Sequence, residues 1–432
     1  MTELATNQPN RKEQSVPDPQ TIPTGSVRFV KELYPRLKPH DDVVERYRDA
    51  LDNLPPIVIA RDGVLVDGYH RWQAHVREGV EQIQAVDLGN LTDAEIVRES
   101  IRRNATHGQQ LTRSDKQRMA GHLWVALADL PPAERVKDIA ELLAVSERSV
   151  QSWTKDVRKA EKQAQQHKAW DLWLDCATEH QIGEALGSPR TTVQSWLDEK
   201  RSSADFVNAP ESRQHFDVWQ FPTTDRESGG QQSYFGAVPP QVLENLLWFF
   251  TDPGQVVVDM FAGSGTTVDV AKAMGRRVWA SDIRGNHYSP HLPIHQHDAT
   301  TGWPEQAPRK ADLVFLDPPY WKQASGRYSS EPNELAEMDL EAFTDAWAQV
   351  VKAATDHAHR VAYIISPTQN EDGSVVDHAT LMLAPFLDAG WRVERRIIVP
   401  YSTQQATGQQ VTWARENRRM LKLYRDLAVL SA

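Results

Sequence analysis

The stretch from Val256 to Tyr320 constrains the fold of this chain more than any other part of the sequence. It begins with the β-branched run Val256-Val257-Val258 and passes into the glycine-rich turn Phe261-Ala262-Gly263-Ser264-Gly265. Thr266-Thr267 then open a segment with a helical pattern that extends to Met274. This order predicts a strand, a ligand-binding loop and a helix. The glycines allow the backbone to come close to a bound ligand.

The residues that follow the loop indicate which kind of ligand it binds. A second run, Arg277 to Ser281, ends in Asp282 about 20 positions past the loop, where an acidic residue can accept a hydrogen bond from a ribose hydroxyl. The loop lacks the third glycine of a dinucleotide site, and no Gly-Lys-Ser/Thr follows Gly265 as in a phosphate loop. These features predict a small nucleoside cofactor with little charge.

A second motif, Asp317-Pro318-Pro319-Tyr320, closes the stretch after the apolar run from Asp312 to Leu316. The exocyclic amine of adenine or cytosine is a poor nucleophile until its protons are held and its nitrogen becomes pyramidal. Asp317 and a backbone carbonyl beside Pro318 could accept those two hydrogens. The prolines stiffen the turn, and Tyr320 offers a π face on which a flipped base can stack. Taken alone, the motif could also be a Pro-Pro turn that merely ends a strand.

Together, the loop and the tetrapeptide resemble the two motifs of the amino-group DNA methyltransferases, Phe-x-Gly-x-Gly and Asp/Asn/Ser-Pro-Pro-Tyr/Phe/Trp. The resemblance covers residues 217–430, and the pair is far more specific than either motif alone. It implies a Rossmann-like α/β methyltransferase domain that binds S-adenosylmethionine. The cofactor loop comes first in the chain, which is the γ-like order of the family. Asp at the first position of the tetrapeptide favours adenine N6 over cytosine N4 as the methylated atom.

The resemblance also implies roles for individual residues. We expect Phe235 and Pro239 to lie beside the methionine end of the cofactor and Asp298 to face its adenine amine. The residues expected to bind the cofactor are Asp259, Phe261, Ala262, Gly263, Ser264, Gly265, Thr266, Thr267, Asp282, Asp298 and Phe235. The residues expected to act in catalysis are Asp317, Pro318, Pro319 and Tyr320.

A small α/β module is predicted from Val27 to about Gly108, with a β-hairpin around the turn Asp62-Gly63. The sequence Gly68-Tyr69-His70-Arg71 resembles the loop of the ParB/sulfiredoxin superfamily that binds nucleotide phosphates at a helix start. Gly68, His70 and Arg71 would then form an anion site. His70 replaces one of the two adjacent arginines of the ParB box, and Tyr69 replaces the sulfiredoxin cysteine. A retained fold in which His70 and Arg71 are purely structural is the alternative.

The segment from Leu111 to Lys200 has helical patterns and an internal repeat. The segments 139–153 and 182–196 align with a shift of 43 positions and share Val-Gln-Ser-Trp. Each predicts a helix-turn-helix unit whose second helix could enter a DNA major groove. The candidate DNA-binding residues of these helices are Arg148, Gln151, Arg190 and Gln194. Residues 101–201 carry 16 Lys and Arg against 14 Asp and Glu, so packing against a protein partner remains the alternative.

After Tyr320 the sequence predicts helices at 340–355 and 375–389 and strands at 361–366, near 391–399 and near 419–423. Little room remains for a separate target-recognition domain. Residues 392–425 contain eight Lys and Arg and two Asp and Glu, whereas the whole chain has a net charge of −11. We expect part of this basic segment, including Arg418 and Arg419, to face DNA phosphates. A solvated strand surface is the alternative interpretation.

The 432 residues, 40% hydrophobic and 25% charged, suggest two or three domains of an ordinary soluble protein. The expected segments are a disordered tail (1–25), a ParB/sulfiredoxin-like domain (26–108), a helical region (109–200), a linker (201–215) and a methyltransferase domain (216–432). The sequence contains no apolar run of about 18 residues and no signal peptide, so we expect a cytoplasmic protein. The single cysteine, Cys176, excludes an internal disulfide and a cysteine-rich zinc site.

These observations predict an S-adenosylmethionine-dependent methyltransferase acting on an exocyclic amine, adenine N6 in preference, of a flipped base in double-stranded DNA. Cytosine N4 is the first alternative. A ParB-like, nucleotide-regulated DNA-binding or partition protein with a non-catalytic methylase half is the second, and methylation of RNA is a third. C5-cytosine methylation is excluded because it needs a nucleophilic cysteine, and no Pro precedes Cys176. We expect no metal at the site.

Overall fold

A computed structural model describes residues 17–36, 40–107, 111–202, 210–221, 238–322, 335–369, 374–401 and 407–432. The chain divides into two compact units, residues 1–164 and 165–432. The boundary falls within one long helix, Lys155–Leu174, inside the segment expected to form a single helical region.

The first unit contains a four-stranded sheet in the order β1-β4-β2-β3. Its strands are β1 (Gln20–Pro23), β2 (Ile57–Ala60), β3 (Val64–Asp67) and β4 (Gln82–Asp87). The predicted hairpin is confirmed, because β2 and β3 pair antiparallel across a turn in which Asp62 and Gly63 both have positive φ. The prediction of a disordered tail as far as residue 25 was wrong for β1. This polar strand gains backbone partners by pairing antiparallel with β4, and it needs no apolar burial to do so.

Helices cover this sheet and continue beyond it. In chain order they are α1 (Asp41–Arg48), α2 (Tyr69–Arg77), α3 (Asp93–His107), α4 (Arg113–Ala126), α5 (Pro132–Leu143), α6 (Glu147–Trp153) and the boundary helix α7 (Lys155–Leu174). The second unit continues with α8 (Glu179–Leu186) and α9 (Arg190–Ser202).

The predicted internal repeat corresponds to two helix pairs, α5–α6 in the first unit and α8–α9 in the second. Ala144 and Gly187 both adopt the left-handed conformation, at φ 50° and 59°, so each first helix ends in the same turn. Ser146 caps α6 by accepting a hydrogen bond from the Ser149 amide. The repeated valines, Val150 and Val193, are fully buried, which explains why the pattern recurs in the sequence.

The second unit is built on a seven-stranded sheet in the order β12-β13-β9-β8-β5-β6-β7. Its strands are β5 (Val256–Asp259), β6 (Arg277–Asp282), β7 (Ile294–Gln296), β8 (Ala311–Leu316), β9 (Ala358–Ile365), β12 (Arg392–Pro400) and β13 (Tyr424–Ser431), while β10 (Thr368–Gln369) and β11 (Val375–Val376) form a separate small ribbon. Only β13 runs antiparallel to its neighbours in the large sheet. This is the expected Rossmann-like α/β fold.

Helices pack on both faces of the large sheet, as parallel strands require. They are α10 (Pro240–Phe250), α11 (Thr266–Ala273), α12 (Leu340–His357), α13 (His378–Asp388) and α14 (Gly408–Glu416). Successive residues of β5 serve opposite faces: Val258 packs in the core with Trp347 of α12, and Val257 packs with Leu247 of α10. Both faces are therefore apolar.

The structure departs from the sequence-based prediction near the carboxyl end. The strand expected near residues 419–423 was wrong, because the last strand is β13, and residues 408–416, expected to be loop, form α14. The continuous apolar run Leu427-Ala428-Val429-Leu430 is buried between β9 and β12, where both faces are covered. The earlier segment, residues 419–423, contains Arg419 and Lys422 and is not buried.

The α8–α9 pair belongs to the second unit through a cluster of contacts around Trp173 of α7. Arg277 donates from Nε to the Trp173 carbonyl at 3.2 Å, and Lys272 pairs with Asp175 at 2.5 Å. The guanidinium groups of Arg277 and Arg201 lie 5.3 and 4.6 Å from the Trp173 ring centre. Arg277 is the first residue of β6, so this contact lies at the amino ends of the parallel strands.

Candidate active site

A cavity lies at the carboxyl ends of β5, β6 and β8. The strand order reverses between β5 and β8, so the cavity occupies the switch point where α/β sheets bind ligands. Its walls contain nearly all the residues predicted to bind the cofactor or to act in catalysis. These are Asp259, Phe261, Ala262, Gly263, Ser264, Thr266, Thr267, Asp282, Asp298, Asp317, Pro318, Pro319 and Tyr320.

The glycine loop turns sharply at the top of β5. Gly263 and Gly265 have φ values of 50° and 88°, and Gly265 forms the amino cap of α11. The Gly265 amide donates to the Ala262 carbonyl at 2.8 Å, which closes the turn. A Cβ on Gly265 would lie 2.3 Å from Leu292 Cδ1, so a larger residue there cannot be accommodated without movement of this wall.

Two carboxylates organise the loop. Asp259 Oδ1 accepts a hydrogen bond from the Phe261 amide at 2.9 Å, and Asp282 Oδ2 accepts one from the Gly263 amide at 3.0 Å. Burial raises the pKa of Asp259 to about 7, although a hydrogen bond from Thr267 opposes the shift. Burial also raises the pKa of Asp282. Asp282 holds the loop and also faces the cavity, where an oxygen lone pair can accept from a ligand hydroxyl.

The tetrapeptide follows β8 at the opposite wall of the same cavity. Burial raises the pKa of Asp317 to about 7, and Arg425 lowers it in opposition. Tyr320 is buried, and its hydroxyl also acts to lower the pKa of Asp317. This wall therefore presents an aromatic ring beside a carboxyl group that exchanges its proton near neutral pH.

Arg425 is the functional candidate that sequence reasoning missed. It is the second residue of β13 and is buried, and its Nε has no hydrogen-bond partner among the described residues. Its guanidinium lies 4.3 Å from the centre of the Tyr401 ring, and its charge acts on Asp317 and Tyr320. No local motif marks this residue, because β13 reaches the site only through sheet pairing with β9. Other wall residues missed from the sequence are Val238, Leu243, Met260, Ile283, His297, Ala299, Thr300, Phe315 and Leu335.

Of the two remaining predicted cofactor residues, the structure describes Asp298 and does not describe Phe235. Asp298 Oδ1 accepts from the amide and the hydroxyl of Thr300 at 2.9 and 2.7 Å, so it caps a short 3-10 turn at the cavity wall. Phe235 lies outside the described residues. The neighbouring Val238 and Leu243 of the α10 region do line the cavity.

The candidate DNA-binding residues lie outside this cavity. Arg148 and Gln151 are exposed on α6, and Arg190 and Gln194 are exposed on α9. Arg190 forms an ion pair with Glu179 at 3.0 Å. Arg418 and Arg419 follow α14, on the connection between β12 and β13. The exposed second helix of each repeated pair is consistent with contact to a large ligand, and α9 is held at the amino ends of the strands, away from the cavity.

In the first unit, Gly68 caps α2 with φ 98°, and Arg71 lies one turn into that helix. Arg71 donates to the carboxylate of Asp67 at 2.6 Å and to the carbonyls of Pro55 and Pro56 at 3.1 and 2.9 Å. His70 Nε2 accepts from the amide of residue 40 at 2.9 Å, and burial lowers the pKa of His70 to about 4. Both side chains therefore have internal partners, and His70 is neutral at physiological pH.

The chemistry of the cavity fits S-adenosylmethionine. A carboxylate at the end of β6 suits ribose hydroxyls, and the apolar walls of Phe261, Ile283 and Phe315 suit an adenine ring. In the described part of the chain, no group of three His, Cys, Asp or Glu side chains is arranged to hold a metal. Burial raises the pKa of the Cys176 thiol to about 12, which leaves it unreactive as a nucleophile.

No described helix has the length and apolar character needed to cross a membrane. Comparison with known proteins gives one family match: residues 115–289 match the DNA methylase family of N6 and N4 amino-group methyltransferases. The match covers the repeated helix pairs and the cofactor loop and ends before Asp317. A search of curated proteins finds no significant match.

Solved structures resemble separate parts of the chain. A ParB N-domain of the pNOB8-like type is 13% identical, covering 32% of this chain and 68% of its own length at a TM-score of 0.26. A TehB-like SAM-dependent methyltransferase from Corynebacterium glutamicum is 13% identical, covering 44% and 86% at 0.26. Precorrin-6y C5,15-methyltransferase from Geobacter metallireducens is 14% identical, covering 51% and 99% at 0.27. At these TM-scores the fold assignment rests on the strand order described above.

The family match and the motif pair agree, because both identify the loop after β5 as part of a methyltransferase cofactor site. By that match and by its two motifs, the chain is similar to the amino-group DNA methyltransferases, and its methyl donor is S-adenosylmethionine.

Proposed function

We propose that the protein transfers a methyl group to an exocyclic amine of a flipped-out base in double-stranded DNA, with adenine N6 favoured over cytosine N4. One observation carries the proposal: Asp317 and Tyr320 line the same cavity as Asp282 and the glycine loop. A base in front of Tyr320 would therefore meet the methyl donor within one enclosed space.

Each residue has a distinct role in the proposed reaction. Tyr320 stacks on the flipped base, and Asp317 accepts a hydrogen bond from its amine. When bound, S-adenosylmethionine supplies an electrophilic methyl group on a sulfonium centre. The amine nitrogen would form its bond to the methyl carbon as the carbon–sulfur bond breaks, which leaves the sulfur as a neutral thioether, and the nitrogen would then lose one proton. Asp317, with a pKa near 7, can take that proton and pass it to water.

The other residues of the cavity position the reactants. Asp282 accepts from ribose hydroxyls, and the backbone of Gly263 and Gly265 allows close approach. Arg425 is a positioning residue, because it acts through Asp317 and Tyr320 by its charge. Water is restricted by the apolar walls of Val238, Leu243 and Leu335.

The choice of DNA site is proposed to lie partly outside the catalytic domain. Arg148, Gln151, Arg190 and Gln194 would contact the duplex, and Arg418 and Arg419 would contact phosphates near the flipped base. The expected boundaries, with a ParB-like domain at 26–108 and a methyltransferase domain at 216–432, remain part of this proposal. So does a cytoplasmic location, whereas a nucleotide at Gly68, His70 and Arg71 would require Arg71 to release the Asp67 carboxylate.

Incubation with unmodified DNA and S-adenosylmethionine, followed by mass spectrometry of the hydrolysed nucleosides, tests the chemistry. We expect N6-methyladenine from the wild type and none from Asp317→Ala. Asp345→Ala, on the exposed side of α12, is the matched control and should retain activity. N4-methylcytosine would change the base and keep the mechanism.

Absence of any methylated nucleoside, with cofactor binding intact, would refute the proposed reaction and favour a ParB-like regulator with a non-catalytic methylase half. Methylation of RNA alone would redirect the substrate to the third alternative.

A pair of truncations tests the division of labour. Deletion of residues 1–164 removes the first unit and leaves the Trp173 contacts with Arg277 in place. We expect it to keep cofactor binding and to weaken DNA binding or relax site choice. Deletion of residues 1–205 also removes the contacts around Trp173 and should additionally lower thermal stability. Unchanged site choice in both truncations would contradict the division.

A further inference from the structure

The connection between β12 and β13 emerges at the same edge of the sheet as the active site. Pro400, the last residue of β12, pairs with Tyr424, the first residue of β13, and Asp426 pairs with Ile365 at the carboxyl end of β9. Because β9 is parallel to β8, this edge is also the one that carries Asp317.

This connection exposes apolar side chains in basic surroundings. Met420 is 87% exposed, more than any other large apolar side chain in the described residues, and Trp413 on α14 is 53% exposed. Residues 407–425 contain five Lys and Arg and one Asp or Glu. An apolar tip surrounded by cations suits a polyanion with an apolar interior, which is the chemistry of a DNA duplex.

The backbone holds this tip in a defined shape. The amide of Arg419 donates to the carbonyl of Ala414 at 2.8 Å, and Ala414 is buried. Arg418 adopts φ 51°, which reverses the chain after α14 and projects the following residues. Such a conformation costs a non-glycine residue free energy and persists only where other contacts hold it.

The base of the connection reaches the catalytic wall. The Tyr401 amide donates to the Leu423 carbonyl at 2.7 Å, which closes the connection, and Arg425 lies against the Tyr401 ring. The charge of Arg425 in turn acts on Asp317 and Tyr320. The base of the connection and the catalytic motif are therefore linked through Tyr401 and Arg425.

We propose that Met420 is the apolar wedge that enters the duplex and occupies the space left by the flipped base, while Arg415 and Arg418 contact the flanking phosphates. This inference rests on the proposed function and deepens it, because it names the surface that stabilises the extrahelical base. Methionine suits the role, because its flexible, polarisable side chain adapts to the irregular gap between stacked bases. Trp413 is the less suitable candidate for the wedge, because it is held on α14 and is less exposed than Met420.

The test compares wild type, Met420→Ala and Leu387→Ala. Leu387 is 51% exposed on α13 and is the matched control. The substrate is a duplex that carries a site mapped in genomic DNA methylated by the wild type. 2-Aminopurine at the target position reports extrusion through its fluorescence. A second duplex carries an abasic position opposite the target base, which removes its pairing.

We expect Met420→Ala to lose on the order of 10-fold in turnover on the paired duplex and to lose most of the 2-aminopurine signal. Cofactor affinity and the activity of Leu387→Ala should stay at the wild-type level. The abasic duplex should restore Met420→Ala toward wild-type turnover, because extrusion no longer needs a wedge.

Equal turnover and fluorescence for Met420→Ala and wild type would overturn the wedge while leaving methyl transfer intact. A defect of equal size on the paired and abasic duplexes would also overturn it, because the loss would then lie outside base extrusion. Absence of methylation by the wild type on any DNA would refute the proposed function, and the wedge with it.

Discussion

Two helices of this protein, α2 and α11, begin in the same way and have different roles. Both α2 and α11 start after a strand at a glycine in the left-handed conformation, Gly68 at φ 98° and Gly265 at φ 88°. A Cβ on Gly68 would lie 2.9 Å from the guanidinium of Arg71, so a side chain of the protein fills that space. A Cβ on Gly265 would likewise meet a side chain, Leu292 Cδ1 at 2.3 Å, and both helix starts border a cavity, so the glycine geometry does not distinguish them. A strand, a glycine and a helix start therefore do not by themselves make a ligand site.

The difference lies in what the nearby charges already bind. The guanidinium of Arg71 donates three hydrogen bonds, to Asp67 and to two backbone carbonyls. In the second unit, Asp259 and Asp282 accept from loop amides and still face the cavity. Internal partners in one unit and buried carboxylates at an open space in the other explain why we assign catalysis to the second unit.

The largest effect should come from the catalytic carboxyl group. Asp317→Asn keeps the shape of the side chain and loses the acceptor that can take a proton. We expect methyl transfer to fall by roughly 10²–10⁴-fold. Cofactor affinity, measured by calorimetry, should remain close to wild type. Loss of cofactor binding with retained residual activity would indicate that Asp317 belongs to the cofactor site instead.

The second largest effect is expected from substitution of Gly265, with the equivalent substitution of Gly68 as its control. Gly265→Ala strains a left-handed position and meets Leu292, so we expect a cofactor affinity lower by roughly 10-fold, which corresponds to about 1.4 kcal/mol. Gly68→Ala strains the equivalent position of α2 and should lower the thermal stability of the first unit. It should leave cofactor affinity unchanged. An equal loss of cofactor affinity in both variants would break the comparison.

The pH dependence of turnover sharpens the role of the buried charges. Asp317 acts as an acceptor when ionised, so turnover should fall as the pH drops through about 7, the raised pKa of this group. Arg425 lowers that pKa, so Arg425→Met should raise it and move the falling limb to higher pH. Arg425→Lys retains a positive charge and should restore part of the shift. If the acidic limb of the pH profile of turnover coincided in Arg425→Met and the wild type, this positioning role of Arg425 would be excluded.

The smallest effect concerns the first unit. Asp67→Asn removes the charged partner of Arg71 and leaves the guanidinium available to an anion. We expect binding of a fluorescent nucleoside triphosphate to increase over wild type, by a few-fold, since a partly exposed ion pair is worth about 1 kcal/mol. Arg71→Met combined with Asp67→Asn should abolish the gain. Tight nucleotide binding by the wild type would show instead that Arg71 changes partner.

Local patterns account for much of the site. The residues of the glycine loop and the tetrapeptide are contiguous in sequence, and each motif sits where a strand ends, so their meeting at one sheet edge followed from parallel strand order. The repeat at Val150 and Val193 likewise predicted two helix pairs. These features are found in the structure because short-range backbone geometry determines them.

Other features depend on contacts between distant residues. Arg425 is far from Asp317 along the chain and reaches it only because β13 inserts between β9 and β12. The last strand is β13, and not the segment 419–423 that the sequence predicted. The segment that pairs is the one that can be buried on both faces, and local alternation of apolar and polar residues does not indicate it.

By itself the sequence determined a Rossmann-like domain with a nucleoside loop, a tetrapeptide suited to amine chemistry and a repeated helix pair, because periodicity, turn residues and short motifs encode local structure. Only the tertiary structure decided that α8–α9 packs at the amino ends of the strands, that Arg425 lies beside Asp317, and that Met420 projects at the active-site edge. Those outcomes arise from sheet pairing and burial, which bring together residues whose separation along the chain carries no local signal.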